Sequence, residues 1–232
     1  MNLSIIIVSW NVKEQLRNNL QSIFDSDHLV KLPNQSGFTA EVFVIDNNSS
    51  DGTTAMVRTE FPQVKLVANK ENKGFAYAVN QVLPEANGEF ILLLNPDMRV
   101  RANTLANLLS WLENNPQAAA TSCKLVDVHN NLVKHVRSFP TWQNQLAVVL
   151  KIPHLWPNIL KNYLLTDFDY SQPAIVDSVR GSFLCLRHDI LKIAGLLDER
   201  YFIWFEDVDY CKNLHNLGYQ VWYTPVAECV DY

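Results

Sequence analysis

The chain has 232 residues, 48% of them hydrophobic, with 19 basic against 24 acidic residues and a formal net charge of -5. That size fits one large α/β domain or two closely joined ones, the apolar share excludes a mainly disordered chain, and the negative balance offers nucleic acid no general attraction. Four scattered cysteines without a CxxC pair read as free thiols of a reducing compartment; the N-terminus has no basic leader, and Leu3–Val8 is too short for a signal sequence or membrane span, so a cytoplasmic location is expected.

Leu3–Val8 and Val42–Ile45 are β-branched and nearly continuous, as strands covered on both faces should be. Between them, Leu16, Leu20, Ile23 and Phe24 fall at helical spacing within Lys13–Phe24, so the chain opens βαβ. The crossover from Asp25 to Ala40, with Pro33 and Gly37, is long enough to form an excursion beside the sheet. A helix is expected over Thr53–Glu60, a strand over Val64–Val67, a helix from Phe75 to about Leu83 and a central strand over Phe90–Leu94. Leu105, Leu108, Leu109 and Leu112 mark a helix from Thr104 to Leu112, and Ala118–Val126 reads as the next strand.

From His129 to Thr166 the pattern changes. Trp142, Leu146, Val148, Leu150 and Trp156 are interrupted by Pro140, Pro153 and Pro157, which reads as a variable insertion or mobile subdomain. No acidic residue lies between Val128 and Thr166, whereas Lys134, Arg137, Lys151 and Lys161 do. Such a stretch suits phosphate, peripheral contact with an anionic membrane, or packing inside a subdomain. Regular structure resumes with a strand pair or bent strand over Ile175–Leu186, a short helix over Asp189–Ala194 closed by Gly195, a helix over Asp207–Leu217 with Gly218 at C′, and a strand over Tyr219–Tyr223. The chain stops at Asp231-Tyr232 without a predicted terminal element, as a fragment would.

Chemistry concentrates where strands end. Asp97 follows Leu92-Leu93-Leu94-Asn95-Pro96; the proline removes a ladder donor, so Asp97 stands just beyond the strand, at the edge where open α/β sheets bind ligands. One such carboxylate can hold Mg²⁺ or Mn²⁺ while pyrophosphate oxygens and water complete the shell, or it can cap the following helix. Glu206, Asp207 and Asp209 crowd the start of a helix after Tyr201-Phe202-Ile203-Trp204-Phe205. There they gain dipole stabilisation, and one of them, Asp207 before Glu206, can also accept a proton from an acceptor hydroxyl. Ser9 and Asn11, Asp46 and Asn48, and Asn72 and Gly74 lie in three strand-end loops able to enclose a base, with Gly74 allowing close backbone approach. Neither GxGxxG nor GxxxxGK[ST] occurs in the first two thirds, and the six histidines form no HxxxH or HExxH pair, so a dinucleotide site, a P-loop and catalytic zinc lack support.

The ordered set Ile6–Asn11, Val44–Gly52, Asn72–Phe75, Leu94–Asp97 and Phe205–Asp209 resembles the inverting glycosyltransferases of family two. The resemblance implies a GT-A fold, Rossmann-like with a mostly parallel central sheet. Residues 1–128 would form the nucleotide-sugar-binding half and 129–232 the acceptor-binding half, with 129–166 variable, all in one continuous domain. It further implies that Asp97 binds the metal within a DXD-type motif from which Asn95 departs, that Asp207 is the base, that Asp46 and Ser9 lie near the nucleobase, and that Arg180 and Gly181 lie near the sugar and diphosphate. Many relatives place a metal-binding histidine after the last strand; Asp231 stands near that point. The implied reaction is metal-dependent transfer from deoxythymidine diphosphate-rhamnose or a uridine diphosphate-sugar to a glycan or lipid-linked saccharide; the alternative is a noncatalytic nucleotide-sugar-binding or scaffold protein of the same fold. Nothing in the sequence sets an oligomeric state.

Overall fold

The structure is a computed structural model that describes residues 1–26, 29, 37–154 and 156–232. His28, Pro33 and most of the predicted excursion between Asp25 and Ala40 lie outside the described residues. Nine strands and eight α-helices are present among the described residues. In chain order they are β1 Leu3–Ser9, α1 Lys13–Phe24, β2 Ala40–Asp46, α2 Thr53–Glu60, β3 Lys65–Ala68, α3 Phe75–Val82, β4 Phe90–Leu94, β5 Met98–Val100, α4 Thr104–Glu113, β6 Ala118–Val126, α5 Trp142–Val149, α6 Lys161–Leu164, β7 Ala174–Ile175, β8 Phe183–Arg187, α7 His188–Ala194, α8 Glu206–Asn216 and β9 Gln220–Asp231.

The strands form one sheet in the order β3-β2-β1-β4-β8-β6-β9-β5, with β7 also paired to β9. Alternation explains the nearly continuous apolar runs. Leu3, Ile5, Ile7, Val42, Val44, Phe90, Leu92 and Leu94 pack on one face with Leu16, Leu20 and Ile23 of α1 and Leu105, Leu108 and Leu112 of α4. Ile6, Phe43, Ile45, Ile91 and Leu93 pack on the other with Val79 of α3, Leu191 of α7 and Leu214 of α8. Both faces are covered, so a central strand has no polar side to show.

The sheet is mixed, which corrects the mostly parallel arrangement expected above. β3, β2, β1 and β4 are parallel, but β8 runs antiparallel to both β4 and β6, while β9 is parallel to β6 and antiparallel to β5 and β7. Strand direction depends on which connection inserts β8 between β4 and β6, and residue periodicity is blind to it. Of the two arrangements expected over Ile175–Leu186, the strand pair is present: β7 and β8, separated by a loop that carries Arg180 and Gly181. One further correction concerns length. β9 continues through Asp231, well past Tyr223. Its pairing with β6 jumps from Cys123↔Thr224 to Lys124↔Glu228, so Pro225 sits in an irregularity that hides the strand's continuation.

The segment 129–166 holds more regular structure than its prolines suggest: α5, single 3₁₀ turns at Ile152–His154 and Pro157–Leu160, and α6. Thr141 and Asn144 close a reciprocal capping box at the start of α5.

Candidate active site

Four consecutive strands of the sheet end together. Asp46 closes β2, Ser9 closes β1, Leu94 closes β4, and Phe183 opens the antiparallel β8 opposite Leu94. Around this edge lie Ser9 Oγ, Asp46 Oδ1, Asp97 Oδ1, Ser182 Oγ, Glu206 Oε2 and Asn19 Oδ1, the buried side-chain oxygens without a hydrogen-bond partner among the described residues. Buried polar atoms are nearly always paired. Their concentration at one edge marks a place built for a polar ligand.

A cleft of about 510 Å³ opens there, lined by Phe75, Asn95, Tyr163, Arg180, Gly181, Ser182 and the run Ile203–Val208. Trp204 and Phe205 both adopt positive φ, 68° and 70°, immediately before α8. That backbone is rare for bulky residues, and it turns the chain so that Glu206 and Asp207 begin the helix at the cleft wall. Asp207 Oδ2 accepts from the Gly181 N–H at 2.6 Å and Oδ1 from the Val208 N–H at 2.7 Å. Burial nevertheless pushes its carboxyl above the ordinary aspartate value, against the pull of those amides and of Arg180. Glu206 is 8% exposed, and burial, helped by the neighbouring Asp207 charge, raises it to about 7. A β-carbon on Gly181 would stand 3.1 Å from that of Asp207, so the glycine leaves room for the carboxylate.

Arg180 links the cleft to the second acidic group. Its Nη1 donates to Asp231 Oδ2 at 2.7 Å. Asp231 pairs in register with Met98, next to Asp97. Burial raises the Asp97 carboxyl, the Asp231 charge raises it further, and Arg180 opposes both. Asp97 is not a helix cap, because α4 begins after Asn103. Two carboxylates, that of Asp97 with a buried, unpartnered oxygen, would fit a hard divalent cation whose remaining ligands are phosphate and water. No group of three His, Cys, Asp or Glu suited to a metal occurs among the described residues.

Of the residues expected to bind nucleotide, Asn95, Arg180 and Gly181 line the cleft; Ser9 and Asp46 lie at the same edge with open acceptor oxygens. Asn11 joins two of the loops at this edge: its Oδ1 accepts from the Ser50 N–H and its own N–H donates to Ser49 Oγ. Asn48 is exposed with φ 67°, a turn residue, and Trp10 of the first loop, next to Asn11 in the chain, is exposed too. Asn72 Oδ1 accepts from the Gly74 N–H. The close approach expected at Gly74 is to protein: with φ +92°, an added β-carbon would stand 2.4 Å from the Phe202 carbonyl oxygen, which accepts from the Phe75 N–H. Gly74→Ala is therefore expected to destabilise the fold by about 2–4 kcal/mol, measured as a lowered urea midpoint. An unchanged midpoint would show that the 202 loop shifts freely.

Three residues were missed. Asn19 donates from Nδ2 to the carbonyls of Asn95 and Met98, holding the turn that carries Asp97. A signal existed, because Asn19 interrupts the apolar stripe Leu16, Leu20, Ile23 of α1. Asn80 bonds Leu197 through both ends of its amide and fixes the segment leading to the aromatic run. Tyr163 reaches the cleft from the irregular segment, and no sequence signal marks it.

The model described as glycosyl transferase family 2 matches residues 4–178. The chain belongs to that family. This family 2 chain is related to rhamnosyltransferases: it is 27% identical over 209 residues to the N-acetylglucosaminyl-diphospho-decaprenol L-rhamnosyltransferase of Mycobacterium tuberculosis, covering 82% of this chain and 66% of that one. It is 28% identical over 166 residues to rhamnosyltransferase WbbL of Escherichia coli K12, covering 71% and 60%. The chain thus spans at most about two-thirds of the length of these relatives. Among solved structures it is similar to the mannosyltransferase PcManGT from Pyrobaculum calidifontis in complex with GDP-Man and Mn²⁺, at TM-score 0.67 and 21% identity over 99% of this chain and 56% of that one. The α/β fold with a central mixed sheet and flanking helices is thereby related to the GT-A type. No helix among the described residues is long and apolar enough to cross a membrane.

Proposed function

We propose that the chain is a metal-dependent inverting glycosyltransferase that moves a sugar from a nucleoside diphosphate sugar, dTDP-rhamnose or a UDP-sugar, to a hydroxyl of a glycan or lipid-linked acceptor. The observation that carries this reading is Arg180. It is bonded to Asp231 and acts on the charge of both Asp97 and Asp207.

In this reading Asp97 and Asp231 would hold Mg²⁺ or Mn²⁺, which when bound would supply positive charge where the leaving group becomes negative. Arg180 adds a second positive charge at the same place. Asp207, held by the Gly181 and Val208 amides, takes the proton of the acceptor hydroxyl. The new bond forms from that oxygen to the anomeric carbon as the bond to the diphosphate breaks, and its electron pair leaves with the phosphate oxygen. Ser9 and Asp46 offer acceptor oxygens to a nucleobase. The Mn²⁺ and GDP-Man of PcManGT and the rhamnosyltransferase relatives support this assignment.

One observation favours a binding protein without turnover: Asp231 is already ion-paired with Arg180, and no third metal-suited group stands beside the pair among the described residues. Calorimetry of UDP-, dTDP- and GDP-sugars with and without Mn²⁺, followed by product analysis of the best ligand, separates the readings. Metal-dependent binding with release of nucleoside diphosphate is expected. Tight binding without any release would favour the binding protein, and pyrophosphate released from a nucleoside triphosphate would overturn sugar transfer.

A further inference from the structure

The helix α5 and the turns after it expose apolar surface that the other described residues do not cover. Trp142, Leu146, Val149 and Leu150 follow the spacing i, i+4, i+7, i+8, the stripe an amphipathic helix ordinarily turns to the core. Here it faces solvent: Trp142 is 72% exposed, Val149 75% and Leu150 60%, and Ala147 is the buried residue of α5. Trp156, 67% exposed, and the exposed Ile159 extend the surface beyond the helix. No acidic residue occurs between Val128 and Thr166, in a chain whose net charge is -5.

We infer that this surface docks on an anionic bilayer and brings the cleft to a lipid-linked acceptor. The inference rests on the sugar-transfer reading for the acceptor and stands by itself for the bilayer. Charge and ring chemistry favour the bilayer: no acidic side chain lies between Val128 and Thr166 to repel anionic headgroups, and although Lys161 is paired with Asp167, Lys151, beside the stripe, has no ion pair among the described residues. Tryptophans at both ends of an apolar surface suit the headgroup boundary, where one side of the ring is wet. The surface and the chemistry adjoin two spaces that share Tyr163. Ile159 and Tyr163 line a space of about 290 Å³ with Thr141, Gln143 and Asn144, and Tyr163 also lines the main cleft. An acceptor with its saccharide at Asp207 and its lipid at α5 would pass Tyr163.

The test is flotation of the 232-residue chain with vesicles of phosphatidylcholine alone or mixed equally with phosphatidylglycerol, for wild type and for Trp142→Ser/Val149→Ser. Both replaced side chains are exposed, so the thermal midpoint should hold. Binding to the mixed vesicles is expected, weakened about tenfold or more in the double variant, with hydrolysis of a water-soluble donor equal in the two proteins. No binding, binding indifferent to the substitutions, or equal binding to neutral vesicles would overturn the inference. So would a wild-type dimer, seen by sedimentation, that the same substitutions dissolve. Loss of donor hydrolysis in a wild type that still floats would sink the sugar-transfer reading and leave the docking surface standing.

Discussion

Asp207→Asn is expected to lower the transfer rate constant by about 10²–10⁴-fold while leaving donor affinity nearly unchanged. The amide keeps the size of the carboxylate and an oxygen for the Gly181 N–H, so the loop carrying Arg180 and Gly181 should stay in place. What is lost, on the proposed role, is the basic oxygen that would take the acceptor's proton. Because burial raises the Asp207 carboxyl, the wild-type rate should fall as pH drops through a value above the ordinary aspartate range. Glu206→Gln is the control. Glu206 holds its proton in the fold until about pH 7, against 4.5 for the free group, so its contribution to stability is fully present below the lower value and is lost as pH rises through the upper one. The glutamine variant should therefore match wild type in urea at pH 4.5 and exceed it at pH 8, with a smaller loss of rate than the asparagine variant. A large loss in Glu206→Gln and a small one in Asp207→Asn would move the base to Glu206.

The second large effect is expected at Asp97. Its inner oxygen is buried without a partner, and the Asp231 charge lies beside it, so without a cation the carboxylate is a burden on the fold. Asp97→Asn should leave the metal-free protein as stable as wild type or more so. It should also abolish the stabilisation conferred by Mn²⁺ with a nucleoside diphosphate, about 2.7 kcal/mol at a hundredfold excess over the dissociation constant. Thermal midpoints of both proteins, with and without each component, give the answer. A full Mn²⁺-dependent shift in the variant would remove Asp97 from the metal site, and with it the DXD-type role that the resemblance implies.

Much of this edge was legible in residue order. Apolar runs followed by a proline or a short polar turn locate Asp46 and Asp97 at strand ends, and acidic residues after an aromatic run locate Asp207 at a helix start. The antiparallel insertion of β8 was not legible, nor was the continuation of β9 beyond Pro225, because both depend on which distant strands pair. The stripe of α5 was obscured by the prolines around it, although Thr141 and Asn144 already carried its cap.

Local physics is short-ranged, and by itself the sequence determined what short-range forces determine: the covered strands, the amphipathic helices, the loops that carry acid and amide side chains, and the family. Only the tertiary structure decided the partners. It brought Arg180 to Asp231, set Gly74 against Phe202, placed Asn19 beneath the Asp97 turn, and left the α5 stripe facing solvent. Each of these joins segments far apart along the chain or depends on what the rest of the fold leaves uncovered, and no periodicity records either.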